Sequence, residues 1–172
     1  MKEFLKTLQY FIENPYTKIH IRELSRKLRI SPSATKKYLD MLLKEEILKE
    51  EKISITRHFT ANTENLAFKH FKIAWNTKIL KDLRIKDQIL NKEENITSII
   101  LYGSYAKGQN DEKSDIDLLV IGAKNKIRTE NPKVSIQQFT WAEWKKQAHN
   151  NKAFYEEIIL HGIPLHGEVP II

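Results

Sequence analysis

Two short groups of polar residues lie ten positions apart in the second half of the chain: Gly103-Ser104 and Asp115-Ile116-Asp117. Residues two positions apart on a β-strand point to the same face of a sheet, so the two carboxylates would lie side by side. Carboxylate oxygens are the preferred ligands of hard divalent cations such as Mg²⁺. The pattern therefore predicts a Mg²⁺ site formed by Asp115 and Asp117.

The Gly-Ser pair follows a hydrophobic run at residues 96–102, which predicts a strand that leads directly into a helix. Free backbone N–H groups at the start of a helix attract phosphate. Gly103 would let a phosphate approach the backbone closely, Ser104 would donate to a phosphate oxygen, and Lys107 would add positive charge. With the two aspartates, these residues predict a pocket for a metal-bound triphosphate.

This segment resembles the DNA polymerase β nucleotidyltransferase superfamily, in particular the minimal nucleotidyltransferases, whose signature is Gly-Ser, ten residues, Asp-x-Asp. The resemblance covers about residues 96–167. It implies Mg²⁺-dependent transfer of a nucleoside monophosphate from an NTP, with ATP expected, to a macromolecular hydroxyl. Ser104, Asp115 and Asp117 would be catalytic, both aspartates would bind metal, and Gly103, Ser104 and Lys107 would bind the nucleotide.

One position departs from the family pattern. Active members carry a third carboxylate on the next strand, which we predict at residues 133–139, but Ser135 and Gln137 stand there. The nearest acids, Glu130 and Glu143, fall outside that strand. Three functions therefore stay open: a working transferase, a transcriptional regulator whose degenerate domain senses nucleotide or binds a partner, and an antitoxin-like protein that pairs with a helical toxin.

The positive charge of the 172-residue chain lies in its first half. The net charge is +7, yet residues 97–172 hold nine basic and nine acidic side chains. A basic module joined to a neutral domain is typical of a nucleic-acid-binding protein, although a solvated lysine-rich surface is an alternative. Without cysteine there is no disulfide or thiolate site. Neither a membrane span nor a signal peptide is evident, so we expect a cytoplasmic protein.

The first 61 residues have the element order of a small DNA-binding domain. Helical spacing over residues 2–13 is followed by a short strand, a second helix, a third helix that begins at Ser31-Pro32, and a hairpin. This order resembles the winged helix-turn-helix family. The resemblance implies that Ser33, Lys36 and Lys37 face base edges of duplex DNA, while Arg22 and Arg57 meet phosphates. Docking of a protein partner stays open as an alternative role.

We therefore expect an α+β chain with three parts: a winged helix-turn-helix domain at residues 1–61, connecting helices at 62–95, and a small mixed-sheet nucleotidyltransferase domain at 96–172. The connecting segment is rich in apolar and aromatic residues and lacks proline and glycine. Packing against the domains, or against a second copy of the chain in a homodimer, is favoured over stacking on nucleic-acid bases.

Overall fold

The computed structural model describes residues 1–172, which divide into two compact units, Met1–Lys72 and Ile73–Ile172. The helices are α1 (Lys2–Glu13), α2 (Ile21–Leu28), α3 (Pro32–Lys44), α4 (Leu66–Asp82), α5 (Ile85–Leu90), α6 (Gly103–Lys107), α7 (Trp141–Asn150) and α8 (Lys152–His161). The strands are β1 (Ile19–His20), β2 (Leu48–Ile53), β3 (Thr56–Ala61), β4 (Ser98–Tyr102), β5 (Ile116–Ile121), β6 (Val134–Phe139) and β7 (Ile163–His166).

Both units combine helices with a sheet, which confirms the predicted α+β class. Helix α4 starts in the first unit and ends in the second, so this helix contains the boundary between them. None of the helices has both the length and the apolar character that a membrane span requires.

The first unit packs α1, α2 and α3 on a small antiparallel sheet with strand order β1-β3-β2. Its core includes fully buried side chains from α1, β1, α2, α3 and β3: Phe11, Ile19, Leu24, Leu39 and Phe59. Helix α3 begins as the sequence predicts, because the Ser31 hydroxyl accepts a hydrogen bond from the Ala34 N–H at 3.2 Å and Pro32 follows the cap.

Arg57 ties the wing hairpin to helix α3. Its guanidinium donates to both carboxylate oxygens of Glu50, at 2.5 and 2.8 Å, and to Asp40 of α3 at 3.2 Å. It also lies 5.1 Å from the centre of the Phe59 ring. The hydrogen bonds from Arg57 lower the pKa of the Glu50 carboxyl. The sequence predicted a phosphate contact for Arg57, but its charge is used within the domain.

The second unit contains a four-stranded sheet with the order β6-β5-β4-β7. Strand β4 is antiparallel to both β5 and β7, whereas β5 and β6 are parallel. Alternate side chains of β4 and β5 enter separate cores on the two faces. One core includes Leu101 and Leu118 together with α5, and the other includes Ile100 and Leu119 together with α7 and α8.

Trp144 of α7 fills the centre of the second core. Its side chain is fully buried, and its indole N–H donates to the Pro170 carbonyl at 2.7 Å. The Thr140-Trp141-Ala142-Glu143 sequence starts α7 with a capping box, in which Thr140 and Glu143 bond each other's backbone N–H groups. The same helix therefore has a satisfied first turn and a large apolar anchor.

The parallel strands β5 and β6 are joined by residues 122–133 without a helix. Side chains hold this connection instead. The Glu93 carboxylate accepts from the N–H and side-chain amide of Asn125, and the Gln138 amide bonds the Ile127 N–H and the Asn125 carbonyl. The contacts with Asn125 and Asn95 lower the pKa of Glu93. Most parallel strands are joined through a helix, whereas this connection is held by these polar contacts and by the buried side chains of Ala123 and Ile127.

Replacing Arg57 by methionine should lower the free energy of unfolding at pH 7 by about 1 kcal/mol, since Asp40 and Glu50 lose a half-exposed partner. The pKa of Glu50 is lowered in the folded state, so the stabilisation is complete above the unfolded pKa of ~4.3 and is lost as pH falls through the folded value. Urea unfolding followed by circular dichroism at pH 7 and pH 3 measures this. The exposed neighbour variant Lys52→Met is the control, and an equal loss in both variants would contradict the role of Arg57.

Replacing Trp144 by phenylalanine should destabilise the protein by about 2 kcal/mol, because the Pro170 carbonyl loses its donor and a void forms in the core. Trp141 lies on the same helix with 40% of its surface exposed, so Trp141→Phe should cost less than about 0.5 kcal/mol. Urea unfolding of both variants gives the comparison. Equal costs would show that the indole hydrogen bond contributes nothing.

Candidate functional site

The register of β4 and β5 brings the two halves of the Gly-Ser and Asp-x-Asp pattern together. Tyr102, the last residue of β4, pairs with Asp117 on β5. Gly103 follows with φ +68°, and a Cβ added there would lie 2.6 Å from Oδ2 of Asp117. Glycine adopts this backbone conformation without strain, and any side chain at this position would displace the Asp117 carboxylate. The start of α6 therefore lies against the Asp117 carboxylate.

The two aspartates differ in their surroundings. We expected both aspartates on one strand, but β5 begins at Ile116, so Asp115 lies exposed just before the strand and only Asp117 lies within it, half-buried. Burial, followed by the negative charge of Asp115, raises the pKa of Asp117. A divalent cation between the two carboxylates would relieve both effects. The donor set, two carboxylates beside an open backbone, therefore fits an oxygen-preferring cation such as Mg²⁺.

No third carboxylate joins this pair from the neighbouring strand. In the parallel ladder of β5 and β6, Asp117 pairs with Ser135 and Leu119 pairs with Gln137. Both partners are exposed on the face that carries Asp117. No group of three or more histidine, aspartate and glutamate side chains is arranged to hold a metal ion. The strand position next to Asp117 thus offers a hydroxyl in place of an acid.

Ser104 lies at the first turn of α6, a helix of five residues whose first residue has no side-chain cap. Its side chain is half-exposed, and its hydroxyl has no hydrogen-bond partner within the chain. The hydroxyl and the uncapped N–H groups follow directly after Gly103, which lies against the Asp117 carboxylate. These groups are free to bind an oxygen-rich ligand.

Lys107, unlike Ser104, already has a partner within the chain. Its ammonium lies 2.8 Å from the Glu157 carboxylate of α8, and the two side chains are about 30% exposed. Lys107 therefore fastens α6 to α8 instead of presenting an unpaired charge to a phosphate. Fifty residues separate the two partners, so sequence spacing carried no signal for this pair.

Tyr102 shows that Glu157 belongs to the surroundings of the aspartates. Burial raises the pKa of the Tyr102 phenol to about 12, with further contributions from the negative charges of Asp117 and Glu157. The ring packs edge-on against Phe154 of α8, with centroids 5.5 Å apart. Helix α8 thus supplies one wall of the site, which the sequence analysis missed.

A buried amide fixes the loop between the two halves of the pattern. Asn76 of α4, 1% exposed, donates to the Tyr105 carbonyl at 2.9 Å and to Oδ1 of Asn110 at 2.8 Å. Within the loop, Asp111 accepts hydrogen bonds from the Lys113 N–H and the Ser114 hydroxyl, and these contacts lower the pKa of Asp111. The ten residues between Ser104 and Asp115 are therefore held in place by hydrogen bonds within their own loop and by hydrogen bonds from α4.

In the first unit, Ser33, Lys36 and Lys37 are exposed on α3 and line one shallow groove. Arg22 is exposed at the start of α2 and lines a separate groove with wing residues Thr56 and His58. These four predicted DNA-binding residues are open to solvent. Arg57, the fifth, is held by Glu50 and Asp40.

Two family matches agree with this geometry. Residues 85–167 match the family described as polymerase beta nucleotidyltransferase. Residues 5–49 match the winged helix-turn-helix DNA-binding family. None of the curated proteins matches the chain.

Among solved structures, the chain is similar to a possible transcriptional regulator from Methanosarcina mazei Go1, with 17% identity, 49% of this chain and 77% of that chain covered, and a TM-score of 0.36. It is also similar to HmgR from Pseudomonas aeruginosa, with 11% identity and a TM-score of 0.31. This match covers 79% of this chain and 52% of HmgR. The chain thus spans about half the length of HmgR. Neither similarity carries a functional argument.

The protein therefore has two domains, and each matches a known family. It joins an N-terminal winged helix-turn-helix domain to a C-terminal nucleotidyltransferase domain of the polymerase beta type.

Proposed function

We propose that this protein is a Mg²⁺-dependent nucleotidyltransferase that moves a nucleoside monophosphate from an NTP, with ATP expected, to a macromolecular hydroxyl. The contact between Gly103 and Asp117 carries the proposal, because it puts uncapped N–H groups beside a carboxylate pair. The first group suits phosphate and the second suits a divalent cation. A metal-bound triphosphate needs both.

In the proposed reaction, the acceptor oxygen forms a bond to the α-phosphorus of the NTP. The bond between the α-phosphorus and the oxygen that bridges it to the β-phosphorus breaks at the same time. Pyrophosphate leaves, and the acceptor hydroxyl loses its proton. Asp115 and Asp117 would hold Mg²⁺, which when bound supplies positive charge to the triphosphate oxygens and makes the acceptor hydroxyl more acidic. Ser104 and the backbone after Gly103 would orient the triphosphate, and Lys107 would contribute only by leaving Glu157.

Replacing both aspartates by asparagine should lower transfer by roughly 100-fold or more, because the amides keep the shape but remove the metal-binding charge. The assay uses full-length protein, Mg²⁺, each NTP labelled at its α-phosphate, and a cell extract as the source of acceptors. Label in macromolecules is measured for wild type and for Asp115→Asn/Asp117→Asn. The expected result is label that depends on both Mg²⁺ and the aspartates.

The control for this assay is Asp82→Asn/Glu156→Gln, which removes two exposed carboxylates from the same unit, each paired only with a lysine four residues away. It should label acceptors as well as wild type does. Label that persists in the Asp115→Asn/Asp117→Asn variant would reject transfer at this site.

A second function is favoured by Ser135: a DNA-binding regulator whose C-terminal domain binds nucleotide without transferring it. Because a hydroxyl pairs with Asp117 where the family has an acid, this site holds less negative charge for the metal that activates an acceptor. Calorimetric titration of ATP with and without Mg²⁺ separates the two functions. Mg²⁺-dependent binding that the double aspartate variant loses, without any labelling by wild type, would favour the regulator.

We also propose that the first unit binds duplex DNA through the exposed face of α3. Ser33, Lys36 and Lys37 line one groove there. Arg22, on α2 of the same unit, is also exposed to solvent. Lysines that contact phosphates add affinity by releasing counterions. Arg57 would act indirectly, since it holds the wing against Asp40 of α3.

The Lys36→Ala/Lys37→Ala variant should bind duplex DNA more weakly, and the slope of log affinity against log salt should fall by about 0.9 for each lost phosphate contact. Fluorescence anisotropy with a labelled duplex at several salt concentrations measures this. Lys145→Ala/Lys146→Ala, which removes two exposed lysines of α7, is the control. Equal affinity of wild type and both variants at every salt concentration would exclude α3 as the DNA-binding face.

A further inference from the structure

A second cleft of about 350 Å³ lies in the C-terminal unit, away from the aspartates. It is lined by the end of α4, by α5 and by the edge strand β7. These helices pack on the sheet face that carries Leu101 and Leu118, whereas Asp117 alternates with Leu118 and points to the other face. We refer to this as the basic cleft.

Three cations surround the basic cleft: Lys81 at the end of α4, Arg84 in the turn, and Lys86 in α5. All three are exposed, and none has a carboxylate partner within the chain. The nearest acid on α4, Asp82, is paired with Lys78 at 2.5 Å. One acid, Asp87, also lines the cleft, so the lining carries an excess of two positive charges.

The turn between the helices explains why the three cations converge. Arg84 adopts a left-handed conformation with φ 53°, and its N–H donates to the Lys81 carbonyl at 3.0 Å. This turn ends α4 and redirects the chain into α5 within two residues. Lys81 and Lys86 therefore face one space from two helices, with Arg84 between them.

The opposite wall of the basic cleft is apolar. Leu80 is buried beneath it, and Pro164 and Leu165 of β7 form its side. Because β7 is an edge strand, no further strand covers this wall. A ligand that fits has clustered negative charge at one end and a flat apolar surface at the other. The volume is at the lower end of the range for small-molecule pockets.

We propose that the basic cleft binds a nucleoside phosphate, with its phosphates on Lys81, Arg84 and Lys86 and its base against Pro164 and Leu165. This ligand is either a free nucleotide or the phosphorylated end of an RNA strand, since both present the same groups. The proposal does not depend on transfer at Asp115 and Asp117. It assigns a second, separate nucleotide site to the same domain.

The test follows backbone amide signals of the ¹⁵N-labelled full-length protein during titration with ADP in EDTA, so that binding at the aspartates is not supported by metal. Signals of Thr77, Lys81, Lys86 and Leu165 should shift together. Pyrophosphate should bind at least fivefold more weakly than ADP, because it lacks the base. Shifts confined to Ser104 and Asp117, or equal affinity for ADP and pyrophosphate, would overturn the proposal.

Two arginine variants separate the cleft from general charge effects. Arg84→Gly removes the guanidinium where the backbone already has a conformation that glycine adopts freely, and it should weaken ADP binding at least fivefold. Arg29→Gly makes the same change at another left-handed position, φ 55°, in the first unit and should leave ADP binding unchanged. Equal losses in both variants, or no loss in Arg84→Gly, would reject the cleft.

A second variant, Lys81→Gln/Lys86→Gln, checks the two helices and should also weaken ADP binding at least fivefold. A 5′-phosphorylated RNA pentanucleotide then identifies the source of the ligand. Tighter binding than ADP supports an RNA end, and weaker binding supports a free nucleotide. A hexaglutamate peptide that binds as tightly as ADP would overturn the proposal, because charge alone would then explain the cleft.

Discussion

The antiparallel register of β4 and β5 is the constraint on which the candidate active site depends. It pairs Tyr102 with Asp117, so the chain leaves β4 beside the carboxylate and must continue through a glycine. A shift of this ladder by one residue would turn Asp117 to the face that carries α5, where its carboxylate would be buried beside Leu101, and would turn Leu118 away from that core. The two cores therefore fix the register, and the register fixes the site.

The site carries the negative charges of two carboxylates and no free positive charge from Lys107. Asp117 is partly desolvated and lies near the negative charge of Asp115, and both effects raise the pKa of its carboxyl. Lys107 does not supply a positive charge here because it already neutralises Glu157. The residue that pairs with Asp117 on β6 is the neutral Ser135. The site therefore carries less negative charge than a site with three carboxylates would. The domain thus has the uncapped start of α6 and two carboxylates at one edge of its sheet, with a hydroxyl on the neighbouring strand in place of a third acid.

The sequence predicted the fold class, the helix-turn-helix core and the local pattern of the site because each depends on short-range signals. Ser31-Pro32 and Thr140-Trp141-Ala142-Glu143 mark helix starts by capping chemistry, and alternation marks β6. The pairs Lys107 with Glu157 and Arg57 with Asp40 could not be predicted, since both join residues far apart in the chain. Their partners are chosen by packing between elements, which spacing does not encode. The sequence did not predict the basic cleft for the same reason, since its lining joins α4 and α5 to the distant strand β7.

The connection between β5 and β6 has a consequence for how the domain opens. Residues 122–133 carry no helix, and amide and carboxylate contacts of Glu93 and Gln138 hold them in place. Strand β6 is also an edge strand with exposed Ser135 and Gln137. Local unfolding begins where few apolar contacts hold the backbone. Strand β6 is therefore an edge at which the sheet can open, and its release would expose the β5 edge beside Asp117 and remove Val134, Ile136 and Phe139 from the two cores.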